Sequence, residues 1–326
     1  MKGRTAHAIC IALVLAATAA TVSLSGQIPV SRTAIVAASL RVIGSKHPDP
    51  SFRNPDRLAI QFIGARERAL LTEFPVEALN LDYTEAIARL SPQDRASVTT
   101  MYLRTKHFDA ALDDALSTGT RQVIVLGAGF DSRGYRFRDL LRNVRFVEVD
   151  AGPTQNYKKQ RVREVLGELP ADVRYVPMDF TKNDLLTELA KAEYSQTERS
   201  LYIWEGVTMY LPEAAVTSTL RFLRDHAAPG SRVIFDYTLA SDSRINDRTS
   251  RFARYGEMWL FGFPGTSAVD FLRRNGLETV TDLSYAELAS MYARRLDGTS
   301  PLPGLSGDQH IRRIAVAQVP PKKAGA

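Results

Sequence analysis

Hydrophobic positions recur along this chain with two different periods, and the change between them divides the sequence. From residue 31 to residue 118, apolar side chains recur at helical spacing, with breaks at Pro75 and Pro92. From residue 119 onward, short β-branched runs alternate with helical stretches. We therefore predict a helical cap over residues 30–118, an α/β core over residues 119–320 and a short tail at 321–326.

The core contains seven apolar runs with the length and composition of strands. They lie at residues 121–126, 144–149, 173–176, 201–204 and 233–237, and near 277–281 and 311–318. Helical stretches at 132–141, 155–167, 182–192 and 212–227 lie between the first five. This alternation predicts an α/β fold with a doubly wound, mostly parallel seven-stranded sheet. Two stretches without a regular pattern, 239–265 and 297–310, are predicted to be insertions that cover a substrate.

The segment before the cap has a different character. Lys2 and Arg4 precede an apolar run, and small residues follow it. This pattern predicts a signal peptide or short anchor over residues 1–29, although the run is shorter than the roughly 20 residues of a membrane span. A misassigned start or an apolar helix lying on the domain are the alternatives. Because more basic residues follow the run than precede it, we expect membrane association through residues 8–25 with the domain facing the cytosol; export is the alternative.

Composition and charge narrow the classes of function. The chain has 326 residues, of which 44% are hydrophobic and 24% charged, as in a folded globular protein. Its formal charge of +6 is mild and no basic run is present, so we expect no nucleic-acid partner. The single cysteine, Cys10, excludes an intrachain disulfide and any multi-cysteine metal site, and no metal is expected. The oligomeric state is left open.

The turn after the first predicted strand is the first candidate ligand site. Gly127 and Gly129 would let a ligand approach the backbone, although two glycines alone can also serve only a tight turn. A dinucleotide prefers a third glycine, where this chain has Ser132, and Asp131 would oppose a pyrophosphate. An adenosyl sulfonium compound carries positive charge and no phosphate. The turn therefore favours that cofactor class over NAD(P), which remains the alternative.

Acidic residues end the next two predicted strands. A carboxylate about 20 residues beyond the glycines can bind ribose hydroxyls, and both Glu148 and Asp150 qualify. The strand period places them on one face, so the pattern does not choose between them. Asp179 beside Phe180 would suit an adenine. The alternative is that these acidic residues are helix caps.

Six short motifs follow one another in order along the chain. They are SRTA at 31–34, YLRTKHFD at 102–109, LGAGFDSR at 126–133, FVEVD at 146–150, WEGVTMYL at 204–211 and YGEMWLFG at 255–262. This series resembles the leucine carboxyl methyltransferase family of class I S-adenosylmethionine-dependent methyltransferases. The resemblance extends over about residues 31–318, and His107 and Met258 depart from the family pattern.

The resemblance implies an enzyme that uses S-adenosyl-L-methionine, and it implies a role for each matching residue. Arg104 would pair with the methionyl carboxylate, and Glu205 would lie near the methionyl ammonium. The resemblance favours Asp150 over Glu148 for the ribose. The remaining cofactor-binding residues would be Gly127 and Gly129 under the methionine and ribose, and Asp179 and Phe180 at the adenine.

The methyl acceptor is the least determined part of the expectation. We expect methylation of a carboxylate or hydroxyl oxygen on a small molecule or a protein carboxylate; a non-catalytic membrane-tethered binding protein is a further alternative. Tyr210 and Trp259 are candidates for the acceptor pocket. Phe261 and Phe263 are further candidates, with core packing as the alternative for all these aromatics. Only a hydroxyl acceptor would need a general base, and His107 and His310 are weak candidates for one.

Overall fold

A seven-stranded sheet forms the centre of the fold, with the strand order β3-β2-β1-β4-β5-β7-β6. The first five strands are parallel, and β7 lies antiparallel between β5 and β6. The strands are β1 Gln122–Leu126, β2 Arg145–Asp150, β3 Val173–Pro177, β4 Ser200–Trp204, β5 Arg232–Thr238, β6 Glu278–Ser284 and β7 Arg312–Gln318. The predicted doubly wound, mostly parallel sheet is therefore confirmed.

The computed structural model describes residues 30–295, 297–305 and 307–321. The predicted leader, including residues 8–25, lies outside the described residues, as does most of the predicted tail. Within the described ranges, no helix has the length and apolar character required to cross a membrane.

Helices cover both faces of the sheet and form the N-terminal cap. Their bounds are α1 Arg32–Ser45, α2 Ala59–Phe62, α3 Ala65–Ala69, α4 Tyr83–Arg89, α5 Pro92–Ser117, α6 Arg133–Arg136, α7 Gly152–Leu166, α8 Leu185–Ala190, α9 Glu213–His226, α10 Arg251–Arg254, α11 Val269–Arg274 and α12 Tyr285–Tyr292. The predicted helix at 132–141 is shorter in the structure, where α6 ends at Arg136. The one predicted at 182–192 begins only at Leu185, because the Asp184 side chain caps it by accepting from the Thr187 N–H.

Two helices that contribute residues to the cavity described below, α1 and α5, each begin at a serine cap. Ser91 caps α5 by accepting from the Asp94 N–H at 3.1 Å, and Pro92 occupies its first turn. Ser31 caps α1 in the same way, accepting from the Ala34 N–H at 3.0 Å. The two helices pack against each other.

The first strand, β1, is buried on both faces. Val123 and Val125 face one apolar cluster, while Ile124 and Leu126 face the other. The sheet order reverses at β1, whose neighbours are β2 and β4. The carboxyl ends of parallel strands at such a reversal form a crevice where ligands bind.

Candidate active site

A large cavity lies at the carboxyl edge of β1, β2 and β4. Its volume is about 1380 Å³, above the roughly 300–1,000 Å³ of a typical ligand pocket. A cavity of this size has room for a cofactor together with an acceptor. The predicted site residues that line it are Arg104, Gly127, Gly129, Asp150, Asp179, Phe180, Glu205, Tyr210 and Trp259.

The glycine turn after β1 has the backbone that its sequence requires. Gly127 and Gly129 have φ values of +70° and +42°, which side-chain-bearing residues rarely adopt. A Cβ on Gly127 would lie 2.4 Å from the Val207 Cγ2. The turn therefore packs closely against the loop after β4, and its backbone forms part of the cavity wall.

Asp150 is held in place by the backbone of that turn. Its carboxylate accepts hydrogen bonds from the Gly129 N–H and, at 2.6 Å, from the Ala151 N–H. Burial raises the pKa of Asp150, and these two backbone donors oppose the rise. Each carboxylate oxygen can accept more than one hydrogen bond, so Asp150 retains acceptor capacity toward the cavity.

Glu148, the alternative to Asp150, is placed elsewhere. It is fully buried, and its Oε2 lies 2.7 Å from the Lys158 Nζ of α7. Burial raises its pKa to about 7, against the attraction of Lys158. Glu148 does not line the cavity. The prediction that it could hold a ribose is therefore corrected: α7 covers the middle of β2, and only the end of the strand reaches the site.

Arg104 and Glu205 contact each other across the floor of the cavity. The Arg104 Nε donates to the Glu205 Oε1 at 2.8 Å, and the Arg133 Nη1 donates to the Glu205 Oε2 at 2.8 Å. Burial alone would raise the pKa of Glu205, but the charges of Arg133 and Arg104 outweigh burial and lower it. Their expected roles toward the methionyl carboxylate and ammonium stay predictions.

Asp236, two residues before the end of β5, does not line the cavity but holds residues that do, and it was not predicted from the sequence. Its Oδ2 accepts from the Arg104 Nη1 at 3.2 Å, and its other oxygen accepts from the Gly206 N–H. Gly206 has a φ of +71°, so this bond holds the turn after β4 in a conformation that favours glycine. The available signal is a carboxylate inside an otherwise apolar strand run, a pattern that by itself indicates only a strand.

Asp131 does not present a free charge to the cavity. It accepts from the Arg133 N–H at 2.7 Å and pairs with the Arg133 guanidinium. Arg133 also donates to the Asp109 Oδ1 at 2.8 Å. Asp131 would therefore repel a pyrophosphate less than its sequence position alone suggests, because Arg133 compensates its charge.

Asp179 and Phe180 line the far end of the cavity. The Asp179 Oδ1 accepts from the Thr181 N–H at 2.9 Å, and its Oδ2 lies 2.8 Å from the Lys182 Nζ. The hydrogen bond from Lys182 is the largest cause that lowers the pKa of Asp179 to about 2. Neither Asp179 nor Asp150 caps the following helix: Asp184 caps α8, and α7 has no side-chain cap.

The insertion predicted at 239–265 covers the cavity and is fastened to the start of α1. The Glu257 carboxylate accepts from the Arg32 N–H at 2.8 Å, the Ser31 Oγ at 3.0 Å and the Thr33 N–H at 3.1 Å. Tyr210 and Trp259 meet edge to face, with ring centroids 6.3 Å apart. The cap and the insertion are thus joined to each other, and both line the site.

Four sequence candidates lie away from the cavity. Phe261 and Phe263 pack against Phe271 in the core, with centroids 5.7 and 5.0 Å away, so core packing is the correct alternative for them. His107 is half-buried with its Nδ1 3.2 Å from the Tyr292 hydroxyl, and burial lowers its pKa. His310 lines a separate small cleft. Among the described residues that line the cavity there is no histidine, lysine or cysteine.

Comparisons with known proteins agree with the motif series. A family model described as leucine carboxyl methyltransferase matches residues 34–224. A candidate S-adenosyl-L-methionine-dependent methyltransferase of Bacillus subtilis, YktD, is 25% identical over 288 residues, which cover 83% of this chain and 94% of the relative. A candidate enzyme of the same description from Frankia alni is 32% identical over 201 residues, covering 62% of this chain and 66% of the relative.

The fold also matches a solved structure. A crystal structure of a candidate methyltransferase from Thermobifida fusca superposes with a TM-score of 0.53 and 15% identity, covering 90% of this chain and 96% of that one. At this identity the likeness concerns the fold, which agrees with the seven-stranded sheet described above.

Proposed function

Since the chain belongs to the leucine carboxyl methyltransferase family and is an S-adenosylmethionine-dependent methyltransferase, we propose that it methylates a carboxylate oxygen of its acceptor. The observation that carries the choice of acceptor is the composition of the cavity wall. Its described residues include several arginines and aromatics but no histidine, lysine or cysteine.

The residues of the wall fit the cofactor. The Gly127–Val207 contact leaves no room for a side chain under the ligand, and Asp150 offers acceptors suited to two ribose hydroxyls. In this proposal Arg104 meets the methionyl carboxylate and Glu205 the ammonium, with Asp179 and Phe180 at the adenine. When bound, S-adenosylmethionine supplies an electrophilic methyl group on a positively charged sulfur.

A carboxylate acceptor needs no proton acceptor. Each carboxylate of the described wall is already paired with a cation or hydrogen-bonded to the protein; these carboxylates are those of Asp56, Asp131, Asp150, Asp179, Glu205 and Glu257. An acceptor carboxylate is already ionised near neutral pH. Its oxygen gives an electron pair to the methyl carbon while the sulfur keeps the pair of the broken bond, so no proton is released. A hydroxyl acceptor would require a base. Burial raises the pKa of Tyr210, which makes its phenol a poor base at neutral pH. Positioning then provides most of the rate.

Base lability of the product tests this proposal. The purified protein would be incubated with S-adenosylmethionine that carries a tritium-labelled methyl group. One incubation would contain the small-molecule fraction of a host extract, and a second would contain its protein fraction. Methyl esters hydrolyse in alkali to volatile methanol, whereas ethers and methylamines do not. We expect alkali-released volatile label with the wild type and none with Gly127→Val, whose added side chain would meet Val207. Alkali-stable label would contradict the carboxylate acceptor.

Location is a separate proposal that rests on sequence alone. We keep the proposal that residues 8–25 bind the membrane with the catalytic domain facing the cytosol, where S-adenosylmethionine is made. Fractionation with protease protection on intact cells tests it. Digestion of the domain from outside, or recovery of an exported form that begins near residues 21–30, would contradict it.

A further inference from the structure

Two arginines of the cavity wall differ from the rest. The other arginines that line the cavity each contact at least one carboxylate. Arg32 and Arg312 form no ion pair within the described parts of the chain. Arg312 is half-buried, and its guanidinium carbon lies 5.0 Å from the centre of the Tyr285 ring. Its neighbour Arg313, by contrast, pairs with Asp282 at 2.7 Å and does not line the cavity.

The place of Arg312 in the sheet separates it from the nucleoside end of the site. It begins β7 and lies opposite Thr238, the last residue of β5. In the order β2-β1-β4-β5-β7, three strand spacings separate β7 from β1 and four separate it from β2. At about 4.8 Å per spacing these are roughly 14 and 19 Å. An anion that meets Arg312 therefore belongs on the side of β4 and β5, away from Asp150 and Asp179.

Arg312 nevertheless lies close to the floor of the cavity. Its side chain lines the same cavity as Arg104 and Glu205. Burial, and then the charge of Asp236, raise the pKa of Tyr285, the ring beside Arg312. Asp236 pairs with Arg104 at 3.2 Å. A partly desolvated guanidinium without a carboxylate partner is unfavourable, and a ligand carboxylate would compensate its charge with strong hydrogen bonds.

Aromatic side chains of the wall are connected to Arg312 through Arg244. The Arg244 guanidinium lies 4.5 Å from the centre of the Trp259 ring and pairs with Asp308. The Asp308 carbonyl accepts from the Arg312 N–H at 3.1 Å.

Phe252 stacks on Trp259, with centroids 5.3 Å apart and planes at 12°. The Trp259 indole N–H is buried and has no acceptor among the described residues. Tyr210 meets the Trp259 ring edge to face. Because Phe252 and the Arg244 guanidinium both lie against the Trp259 ring, the apolar surface open to an acceptor consists of Phe252 and Tyr210, which suits a planar apolar body.

We propose that Arg312 binds the carboxylate of the acceptor, that the acceptor is an aromatic carboxylic acid, and that Arg312 thereby distinguishes substrate from product. The inference rests on the proposed carboxylate methylation. Methylation turns the anionic carboxylate into a neutral ester, so the ion pair with Arg312 is lost when the product forms. The same residue then favours binding of the acid and release of the ester.

Calorimetric titration with a matched pair of probes tests this inference without turnover. The protein would be saturated with S-adenosylhomocysteine and titrated with 4-phenylbutyrate and with its methyl ester. We expect the wild type to bind the acid at least about tenfold more tightly than the ester. Arg312→Gln should weaken acid binding by about ten- to a hundredfold, the range for a lost charge-assisted hydrogen bond, and leave ester binding within about threefold.

Arg313→Gln is the matched control, because it removes the same charge one residue away and outside the cavity. It should keep the preference for the acid. Equal binding of acid and ester by the wild type, no binding of the acid, or an unchanged preference in Arg312→Gln would overturn the inference. Weaker S-adenosylhomocysteine binding by Arg312→Gln would also overturn it, because Arg312 would then be a cofactor residue. Alkali-stable methylation together with Arg312-dependent acid binding would instead contradict the proposed function alone.

Discussion

Two groups of buried charges lie near the turn after β1, and they are compensated in different ways. The cavity network consists of Arg104, Arg133, Asp109, Glu205 and Asp236. Each of its two arginines contacts at least two carboxylates. The buried pair consists of Glu148 and Lys158, which approach to 2.7 Å without well-formed hydrogen bonds.

The pKa values of the central carboxylates of these two groups, Glu205 and Glu148, are shifted in opposite directions. The pKa of Glu205 is lowered although it is buried, whereas burial raises that of Glu148 to about 7. Burial is common to both, so the number and geometry of the partners decide the sign. Charge is therefore retained on the cavity floor, where a charged ligand would bind, and much less beneath β2.

The largest effect is expected from removing the cation that joins the network. Arg133→Met would leave three carboxylates, those of Asp109, Asp131 and Glu205, without this partner. We expect the free energy of unfolding to fall by about 3–5 kcal/mol, as when a buried ion pair loses one member. Urea unfolding measures it. Arg138→Met is the control, because that side chain is 58% exposed, and a change below about 0.5 kcal/mol is expected. Equal losses in both variants would contradict the distinction.

Much of the fold could be predicted because one strand pattern recurs. The run at 121–126 differs by one residue from β1, since a fully buried strand bounded by glycines leaves a clear signal. The end of α6 was not predictable in the same way, because Phe137 and Leu141 continue a helical pattern while the chain turns after Arg136. The antiparallel β7 depends on pairing with β5 and β6, which no local pattern specifies.

The candidate site was predictable where one residue has one role, and not where a role depends on packing. The glycine turn follows from backbone conformation alone. Glu148 and Asp150 share a face, and only the packing of α7 over β2 separates them. Asp236 was missed for the related reason that its partners, Arg104 and Gly206, are distant in sequence.

The second prediction concerns the binding of S-adenosylhomocysteine by Arg104 of the cavity network. Arg104→Ala should weaken binding of S-adenosylhomocysteine by about 2–4 kcal/mol, because a desolvated charge-assisted pair with the methionyl carboxylate is lost. Calorimetric titration measures it. Arg145→Ala is the control: Arg145 pairs with Glu198 at the opposite edge of the sheet. Wild-type affinity in Arg104→Ala would show that Arg104 only holds Glu205 and Asp236 in place.

The third prediction uses pH to separate the buried pair from the network. Because the pKa of Glu148 rises from 4.5 to about 7 on folding, the folded protein keeps a proton that the unfolded chain releases. Stability from this group is therefore greatest below pH 4.5 and is lost as pH rises to 7. Between pH 4.5 and pH 7, we expect the free energy of unfolding of the wild type to fall by up to about 3 kcal/mol more than that of the double variant Glu148→Gln/Lys158→Met. Urea unfolding at several pH values measures the difference. A difference that is flat with pH would contradict the raised pKa.

The smallest effect is expected where a charge pair is exposed. Asp179 is 42% and Lys182 78% exposed in their side chains, and exposed pairs contribute about 0–1 kcal/mol to stability. Asp179→Ala should therefore leave the free energy of unfolding nearly unchanged while weakening S-adenosylhomocysteine binding, if its carboxylate meets the adenine. Urea unfolding and calorimetric titration of one preparation measure both quantities. Lys182→Ala, which removes the partner but not the carboxylate, should change neither. Unfolding of Asp179→Ala would mean that its bonds to Thr181 hold the turn after β3, and that the carboxylate serves the fold more than the ligand.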